Sequence, residues 1–170
     1  MSKRVSLKEF QEGLANRLKA AASEAAPSAR LGFEAGGAHW LAKLDASGEV
    51  LQVPGIQRVP LTRDWFLGVA NIRGSLYGVS DLGAFLGQPA TVRSPENRLL
   101  LIGQPLGMNC ALLVSRLAGL RNVAEYAAEP AAASTPWSAA AWRDKDNRLW
   151  RELDTGRLLE HREFLEIAVH

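Results

Sequence analysis

The chain has 170 residues, of which 47% are hydrophobic and 22% charged, and its formal net charge is +2. This length suits one domain, or two small barrels that share a core, and the composition is ordinary for a soluble globular protein. The basic residues are too dispersed for a nucleic-acid-binding patch, and no apolar stretch approaches the length of a membrane span.

The sequence contains one cysteine, Cys110, which excludes an intramolecular disulfide and is typical of a protein from a reducing compartment. It lies in the apolar run 110–114, which favours a buried structural thiol over a nucleophile. Charged residues interrupt the N-terminus, so it lacks the apolar segment of a signal peptide. We therefore expect a cytoplasmic protein, which a partner could still hold near a membrane.

The first predicted element is a helix over residues 6–24. Ser6 and Glu9 have the spacing of a capping box, and Val5 and Phe10 stand at the positions of a hydrophobic staple. The apolar residues at helical spacing form one narrow stripe, at Leu7, Phe10, Leu14 and Leu18. Residues 1–28 are thus an N-terminal helix and linker. The helix either binds a partner or packs on its own domain or on a second copy.

From residue 29 onward, short apolar segments alternate with turn residues, a pattern that predicts strands. In the first half, the predicted strands cover residues 30–35, 38–44, 49–53, 65–72 and 75–79. The Gly-Gly pair at 36–37 predicts a tight hairpin, and 45–48 predicts a turn. A short helix follows over 82–86, with Asp81 as its N-cap. The alternative role for Asp81 is contact with a partner.

The second half repeats this pattern. The predicted strands there cover residues 98–103, 109–114, 117–123 and 149–153. The stretch 127–141, rich in Ala, Pro and Ser, is predicted to be a surface loop, with apolar contacts for Trp137 and Trp142. A turn at 154–156 leads to a final helix over 158–167, whose inward residues are Leu159, Phe164 and Ile167. Many short strands with frequent turns predict a mainly β domain over residues 29–170, built as two small barrels.

No residues in the sequence have the spacing of a known catalytic or metal site. His39, His161 and His170 each stand apart from the cysteine and from carboxylates at metal-ligand spacing, and a structural role suits His39 better. Neither a nucleophile elbow nor a phosphate-binding loop occurs. Residues 144–147 resemble part of a calcium loop but lack its closing glutamate. We therefore predict no catalytic residues, metal or cofactor, and favour a binding module.

The most distinctive pattern lies at residues 68–74, where an apolar run is followed by Asn71, Ile72, Arg73 and Gly74. In an extended strand, Asn71 and Arg73 share one face and Ile72 points to the other. Gly74 permits a backbone turn that is closed to other residues. The hydrogen-bonding groups of Asn71 and Arg73 suit either a recognition surface or a brace that fixes the turn.

Residues 68–74, Gly-Val-Ala-Asn-Ile-Arg-Gly, resemble the Gly-Val-x-Asn-Leu-Arg-Gly signature of CheW-like domains. The continuation through Asp81-Leu82 and Phe85-Leu86-Gly87 is similar to the next strand and short helix of that family. Other features resemble the PilI-type subgroup, which serves type IV pilus chemosensory arrays: they are Arg58-Val59-Pro60, Trp65, Leu31-Gly32-Phe33, Gly36-Gly37 and residues 164–168. Departures from the family pattern occur at Trp40, Lys43 and Ser80.

The resemblance implies a fold of two intertwined five-stranded SH3-like barrels, with an apolar core between them. It also implies a non-catalytic adaptor in a system that controls type IV pilus twitching motility. Such an adaptor couples the cytoplasmic tip of a methyl-accepting chemoreceptor to the regulatory domain of a CheA-type histidine kinase. The receptor's hairpin tip would lie in a groove between the barrels. The alternatives are another SH3-like module, which would bind peptide or nucleic acid through exposed Trp137 or Trp142, and an enzyme of unfamiliar type.

The resemblance also implies which residues bind the partners. Glu49 matches a glutamate of the family, which predicts a Glu49–Arg73 pair that braces a loop beside the receptor groove. The alternative is a plain surface salt bridge worth under about 1 kcal/mol. Asn71, Arg73 and Gly74 would shape the edge that faces the receptor or the kinase. The candidates for the apolar groove floor are Val50, Val53, Val69 and Ile72. For Val50 and Val69, burial in the core is the alternative.

Overall fold

The computed structural model describes residues 6–25, 27–44 and 48–170. The helices there are α1 (Leu7–Ala25), α2 (Leu82–Phe85), α3 (Thr155–Glu160) and α4 (Arg162–Leu165). The strands of the first half are β1 (Ala29–Ala35), β2 (Ala38–Lys43), β3 (Val50–Gln52), β4 (Phe66–Ile72) and β5 (Ser75–Asp81). The strands of the second half are β6 (Arg98–Ile102), β7 (Cys110–Val114), β8 (Arg116–Asn122), β9 (Ala127–Ala128), β10 (Ser138–Arg143) and β11 (Leu149–Leu153).

The strands form two sheets, in the orders β8-β1-β2-β11-β10-β9 and β3-β6-β7-β5-β4. The chain leaves the first sheet after β2, builds the second, and returns to the first with β8. Parallel pairing of β2 with β11, and of β5 with β7, joins segments that are distant in sequence. The prediction of a mainly β fold with two intertwined units is therefore confirmed. The first sheet has a sixth strand because the two-residue β9 pairs with β10.

Strands β6 and β7 of the second sheet are buried on both faces. Along β6, Leu100 and Ile102 enter an apolar core that is shared with the first sheet, whereas Leu99 and Leu101 enter the interior of the second sheet alone. A strand that is buried on both faces has no solvent-facing positions, so its sequence is continuously apolar and does not alternate. The run of leucines in β6 follows from this burial.

The first sheet contributes to the shared core in the same way. Phe33 of β1 and Trp40 of β2 enter the shared core, and Leu41 packs with Trp150 on the opposite face. The short helices after the strands add further buried side chains to the shared core, from Leu82, Leu158, Leu159 and Phe164. The result is one apolar cluster between the sheets and one smaller cluster belonging to each sheet.

The predicted helix caps are present. Ser6 Oγ accepts a hydrogen bond from the Glu9 N–H, and Glu9 Oε2 accepts one from the Ser6 N–H, both at 3.1 Å. Asp81 Oδ1 accepts from the Ala84 N–H at 3.3 Å and from Thr91 Oγ1 at 2.7 Å. Asp81 is buried, so the cap interpretation is confirmed over partner contact.

Some predictions lie outside the described part of the chain, and others are wrong. Val5, the side chain of Leu18 and most of the predicted turn at 45–48 are not described. The stretch 127–141 is not one loop, since it contains β9 and the start of β10. Buried Trp137, which precedes β10, anchors this stretch in the shared core.

The predicted turn at 154–156 is instead the start of α3. Asp154 Oδ1 accepts a hydrogen bond from the Arg157 N–H at 3.0 Å and caps this helix. The single helix predicted over 158–167 is two short helices, because His161 has an extended backbone conformation between α3 and α4. Leu159 and Phe164 are buried as predicted, and Ile167 is half-buried.

The hairpin between β10 and β11 is held by Asp144. Its Oδ1 accepts from the backbone N–H groups of Asp146 and Arg148, each at 2.9 Å, and its Oδ2 accepts from the buried Trp150 Nε1 at 2.8 Å. Burial acts to raise the pKa of Asp144, but the donors from Trp150 and the backbone outweigh it, and the pKa lies below its ordinary value. The carboxylate in the stretch that resembles a calcium loop thus serves the turn itself.

Replacing Asp144 with alanine should lower the free energy of unfolding by about 1–3 kcal/mol, because the buried indole N–H of Trp150 loses its acceptor. Urea denaturation measures this difference. The matched control is Asp146→Ala, which removes the same charge from an exposed side chain in the same turn. The control should change stability by less than about 0.5 kcal/mol, and equal losses in the two variants would contradict the role of Asp144.

The same carboxylate makes stability depend on pH. The folded-state pKa of Asp144 is lowered, so its contribution is complete above the unfolded-state pKa of about 4. The contribution is lost as the pH falls through the lower, folded-state pKa. The stability difference between the wild type and Asp144→Ala should therefore be constant above about pH 5 and shrink below about pH 4. A difference that persists unchanged at about pH 2 would disprove this linkage.

Candidate functional site

The candidate site lies where the two edge strands of the second sheet approach each other. β3 and β4 are at opposite ends of the strand order, yet Leu51 of β3 and Ile72 of β4 belong to the same apolar cluster. The sheet therefore curls on itself and its edges face each other. We name the region between β3 and β4, with the residues that close its two ends, the seam.

One end of the seam is closed by backbone hydrogen bonds. The Gln57 N–H donates to the Val69 carbonyl at 2.8 Å, and the Val69 N–H donates to the Gln57 carbonyl at 2.9 Å. Gly68 makes this approach possible. It has a φ of +130°, and a Cβ on it would overlap the carbonyl oxygen of Gln57. The first glycine of the 68–74 pattern is therefore required for closure of the seam.

The other end of the seam is closed by the predicted Glu49–Arg73 pair. Arg73 Nη1 donates to Glu49 Oε2 at 2.5 Å, and Arg73 Nη2 donates to Glu49 Oε1. The hydrogen bonds and charge of Glu49 raise the pKa of Arg73 above its ordinary value. The Arg73 side chain is 68% exposed and that of Glu49 is 22% exposed. A pair this open to water stabilises the fold by less than about 1 kcal/mol.

The strand ends at Ile72 and resumes at Ser75, as predicted, so Arg73 lies in the break and does not share a strand face with Asn71. β4 ends at Ile72, and Arg73 and Gly74 form a two-residue turn with φ angles of 51° and 83°. Two consecutive residues with a left-handed backbone conformation match the twist of the strands in a tight hairpin. Asn71 Oδ1 accepts from the Gly74 N–H at 2.9 Å, so Asn71 braces the turn. The side chains of Asn71 and Arg73 both remain exposed.

The four apolar candidates differ in accessibility. Val50 is only 2% exposed and belongs to the shared core, so core packing explains it. Ile72 is also buried, within the cluster of the second sheet. Val53 and Val69 are half-buried. The apolar surface that these candidates expose therefore comes mainly from Val53 and Val69.

Helix α1 lies along β3 and adds residues to the site that the sequence reasoning missed. Asn16 Oδ1 accepts from the Val50 N–H at 3.2 Å, and Glu12 Oε1 accepts from the Gln52 N–H at 3.0 Å. A cavity of about 320 Å³ separates the helix from the seam, and its lining includes Ser6, Glu9, Glu12, Leu51, Asn71 and Arg73. The apolar stripe is the dominant pattern of this helix in the sequence. The only signal for the other face was the four-residue spacing of Glu12 and Asn16.

Three reactive or aromatic side chains outside the seam are paired or buried, and Trp142 is half-buried against Leu41 and Trp150. His39 Nε2 lies 3.4 Å from Glu34 Oε1, and burial raises the pKa of the Cys110 thiol. Trp137 is buried against Phe85 and His161. It is therefore not the exposed aromatic that a peptide or nucleic-acid groove would need.

The described residues include no group of three or more His, Cys, Asp or Glu side chains that could hold a metal ion. Within the same part of the chain, no helix is both long and apolar enough to cross a membrane.

Comparison with known proteins confirms the resemblance on which the site assignment depends. A family model described as the CheW-like domain matches residues 30–163. Protein PilI of Pseudomonas aeruginosa is 29% identical over 144 residues, which cover 82% of this chain and 79% of PilI. The crystal structure of the scaffolding protein TtCheW from Thermoanaerobacter tengcongensis aligns with a TM-score of 0.63 at 18% identity, over 75% of this chain and 89% of that one. The structural likeness shows the shared fold.

The two glycines that bound the 68–74 pattern should differ sharply in their tolerance of alanine. Gly68→Ala should cost more than about 3 kcal/mol of unfolding free energy, because its Cβ would overlap backbone. Gly74→Ala is the matched control, since it also has a positive φ but no atom lies within 4 Å of its Cβ. It should cost only about 1–2 kcal/mol. Chemical denaturation of both variants checks this, and similar losses would argue against the closure role of Gly68.

Proposed function

The chain belongs to the CheW-like domain family, and we propose that it is a non-catalytic adaptor of a chemotaxis-type signalling system. It couples the cytoplasmic tip of a methyl-accepting chemoreceptor to the regulatory domain of a CheA-type histidine kinase. The similarity to Protein PilI supports a system that controls type IV pilus twitching motility. In this role the protein works in the cytoplasm and is held at the membrane-associated receptor array by its partners.

The observation that carries the proposal is the charged turn at the end of the seam. Asn71 and Gly74 are joined by a hydrogen bond, and Arg73 is joined to Glu49 across the seam. These contacts favour one position of an exposed guanidinium before any partner arrives. A preorganised group loses less conformational entropy on binding, so it supports recognition better than a mobile one.

The surroundings of the turn suit a helical partner. Half-buried Val53 and Val69 provide apolar surface near the seam, and Asn71 and Arg73 provide polar groups at its end. A helix laid in a groove uses this combination, with apolar anchors on one face and polar contacts at the margin. The hairpin tip of a chemoreceptor is a helical partner of this kind.

The two-sheet architecture supports a second partner. The kinase's regulatory domain would carry a CheW-like domain of its own, and its contacts with this chain would be pseudo-symmetric contacts between barrels. The seam occupies only one part of the second sheet, so the first sheet remains for such a contact. An adaptor needs two separate surfaces of this sort to hold both partners at once.

Reversing the charge of Arg73 tests the site. Arg73→Glu should abolish co-purification with the receptor or the kinase, because it places a carboxylate opposite Glu49 and at the partner-facing edge. The fold should remain intact, since the exposed pair contributes little to stability. The matched control is Arg93→Glu, which makes the same charge change in the exposed loop between α2 and β6. Unchanged partner binding by Arg73→Glu would overturn the site assignment.

A charge swap separates the two roles of Arg73. The double variant Glu49→Arg with Arg73→Glu restores an ion pair across the seam but moves the guanidinium to the other side. If Arg73 contacts the partner, the double variant should bind as poorly as Arg73→Glu in a pull-down assay. Recovery of binding by the swap would show that Arg73 acts only as a brace.

A further inference from the structure

Over residues 6–17, helix α1 contacts β3 through polar side chains, and the described residues of its apolar stripe are exposed. Glu12 and Asn16 face β3, whereas Leu7, Phe10 and Leu14 are 73%, 58% and 46% exposed. A surface helix ordinarily buries such a stripe against its domain, and this burial supplies most of the stability of its position. Over residues 6–17, α1 lacks that source of stability.

Polar contacts hold the helix in place instead. Asn16 and Glu12 accept hydrogen bonds from the backbone of β3, and Gln52 Nε2 donates to Gln11 Oε1 at 3.4 Å. All three contacts lie at least partly open to solvent. Water can replace each acceptor at small net cost, so these contacts favour the docked position only weakly.

The surface beneath α1 belongs to the seam. Leu51 of β3 pairs with Leu99 of β6 inside the sheet, whereas the N–H groups of Val50 and Gln52 point outward to α1. Backbone N–H and C=O groups that point outward from an edge strand can form hydrogen bonds with another chain. The helix covers this edge and forms one wall of the cavity in front of Asn71 and Arg73.

The carboxylate of Glu12 on α1 also acts electrostatically on the Arg73 guanidinium. The hydrogen bonds and charge of Glu49 are the main cause of the raised pKa of Arg73, and Glu12 on α1 adds to the shift through its charge. In the docked state, a carboxylate of the chain's own helix therefore stands close to the group that the partner is proposed to contact.

We propose that α1 is a displaceable cover of the seam, which is docked on β3 in the free protein and leaves when the receptor tip binds. This inference rests on the proposed function, since it assigns a regulation to the same site. The cover lies outside residues 30–163, which the family model matches. Partner affinity is then reduced by the fraction of molecules in which the cover is closed.

Hydrogen exchange tests the cover without any partner. The amides of Val50 and Gln52 should exchange at least about tenfold faster than the Leu101 amide, which donates to the Glu49 carbonyl within the sheet at 2.8 Å. In full-length protein, the double variant Glu12→Ala with Asn16→Ala should accelerate the Val50 and Gln52 amides and leave Leu101 unchanged. Equal protection of all three amides in the wild type would overturn the inference.

A covalent lock tests the regulation. The variant Gln11→Cys with Gln52→Cys, in a Cys110→Ala background, places two thiols where the side chains lie 3.4 Å apart. A short bismaleimide then joins α1 to β3. The locked protein should bind a soluble chemoreceptor-tip fragment from the same genome at least about tenfold more weakly, as measured by calorimetry. The same variant capped with N-ethylmaleimide is the matched control and should bind like the wild type.

The outcomes distinguish the inference from the proposed function. If the locked protein binds the receptor fragment as tightly as the capped control does, the inference that α1 covers the seam is overturned. Failure of the wild type and of the Glu12→Ala, Asn16→Ala variant to bind the fragment would count against the proposed function. The exchange measurement would still decide whether α1 opens.

Discussion

The apolar core shared by the two sheets is the constraint on which the rest of the structure depends. Leu100 and Ile102 of β6 face this core while their neighbours face the interior of the second sheet, so neither sheet can move without exposing apolar surface. Val50 is anchored in the same core. Because Glu49 directly precedes Val50, the shared core also fixes one half of the ion pair that closes the seam.

The most distinctive segment of the chain proves to be a device for closing the seam. Gly68 admits the backbone of Gln57, Asn71 braces the turn, and Gly74 lets the turn form. Arg73 then reaches across to Glu49. Each of these four residues has a structural role, and together their contacts connect the two edges of the second sheet. The proposed recognition role would use the same contacts, because groups that are already positioned lose less conformational entropy on binding.

The seam and helix α1 differ in how they are held. The seam is closed by backbone pairing and buried packing together with the exposed Glu49–Arg73 pair, whereas the described side chains of α1 make only polar contacts to β3, which water can replace. The free energy needed to move an element depends on the apolar surface it buries, so α1 can leave β3 while the seam stays closed. A closed seam under a weakly held helix is the arrangement that the proposed adjustment of partner affinity requires.

The sequence by itself determined the features that depend on neighbouring residues. The capping box at Ser6, the cap at Asp81, the strands and the tight turn at Gly74 were predictable because caps, turns and periodicity act over a few positions. The Glu49–Arg73 pair was predicted only through family resemblance, since its two residues are 24 positions apart.

The alanine-rich start of β10 and the helix beginning after Asp154 were missed, because packing of Trp137 and a local cap outweighed weak propensities. Only the tertiary structure decided that β3 and β4 face each other and that α1 presents its polar face to them, because both depend on contacts between residues far apart in the chain.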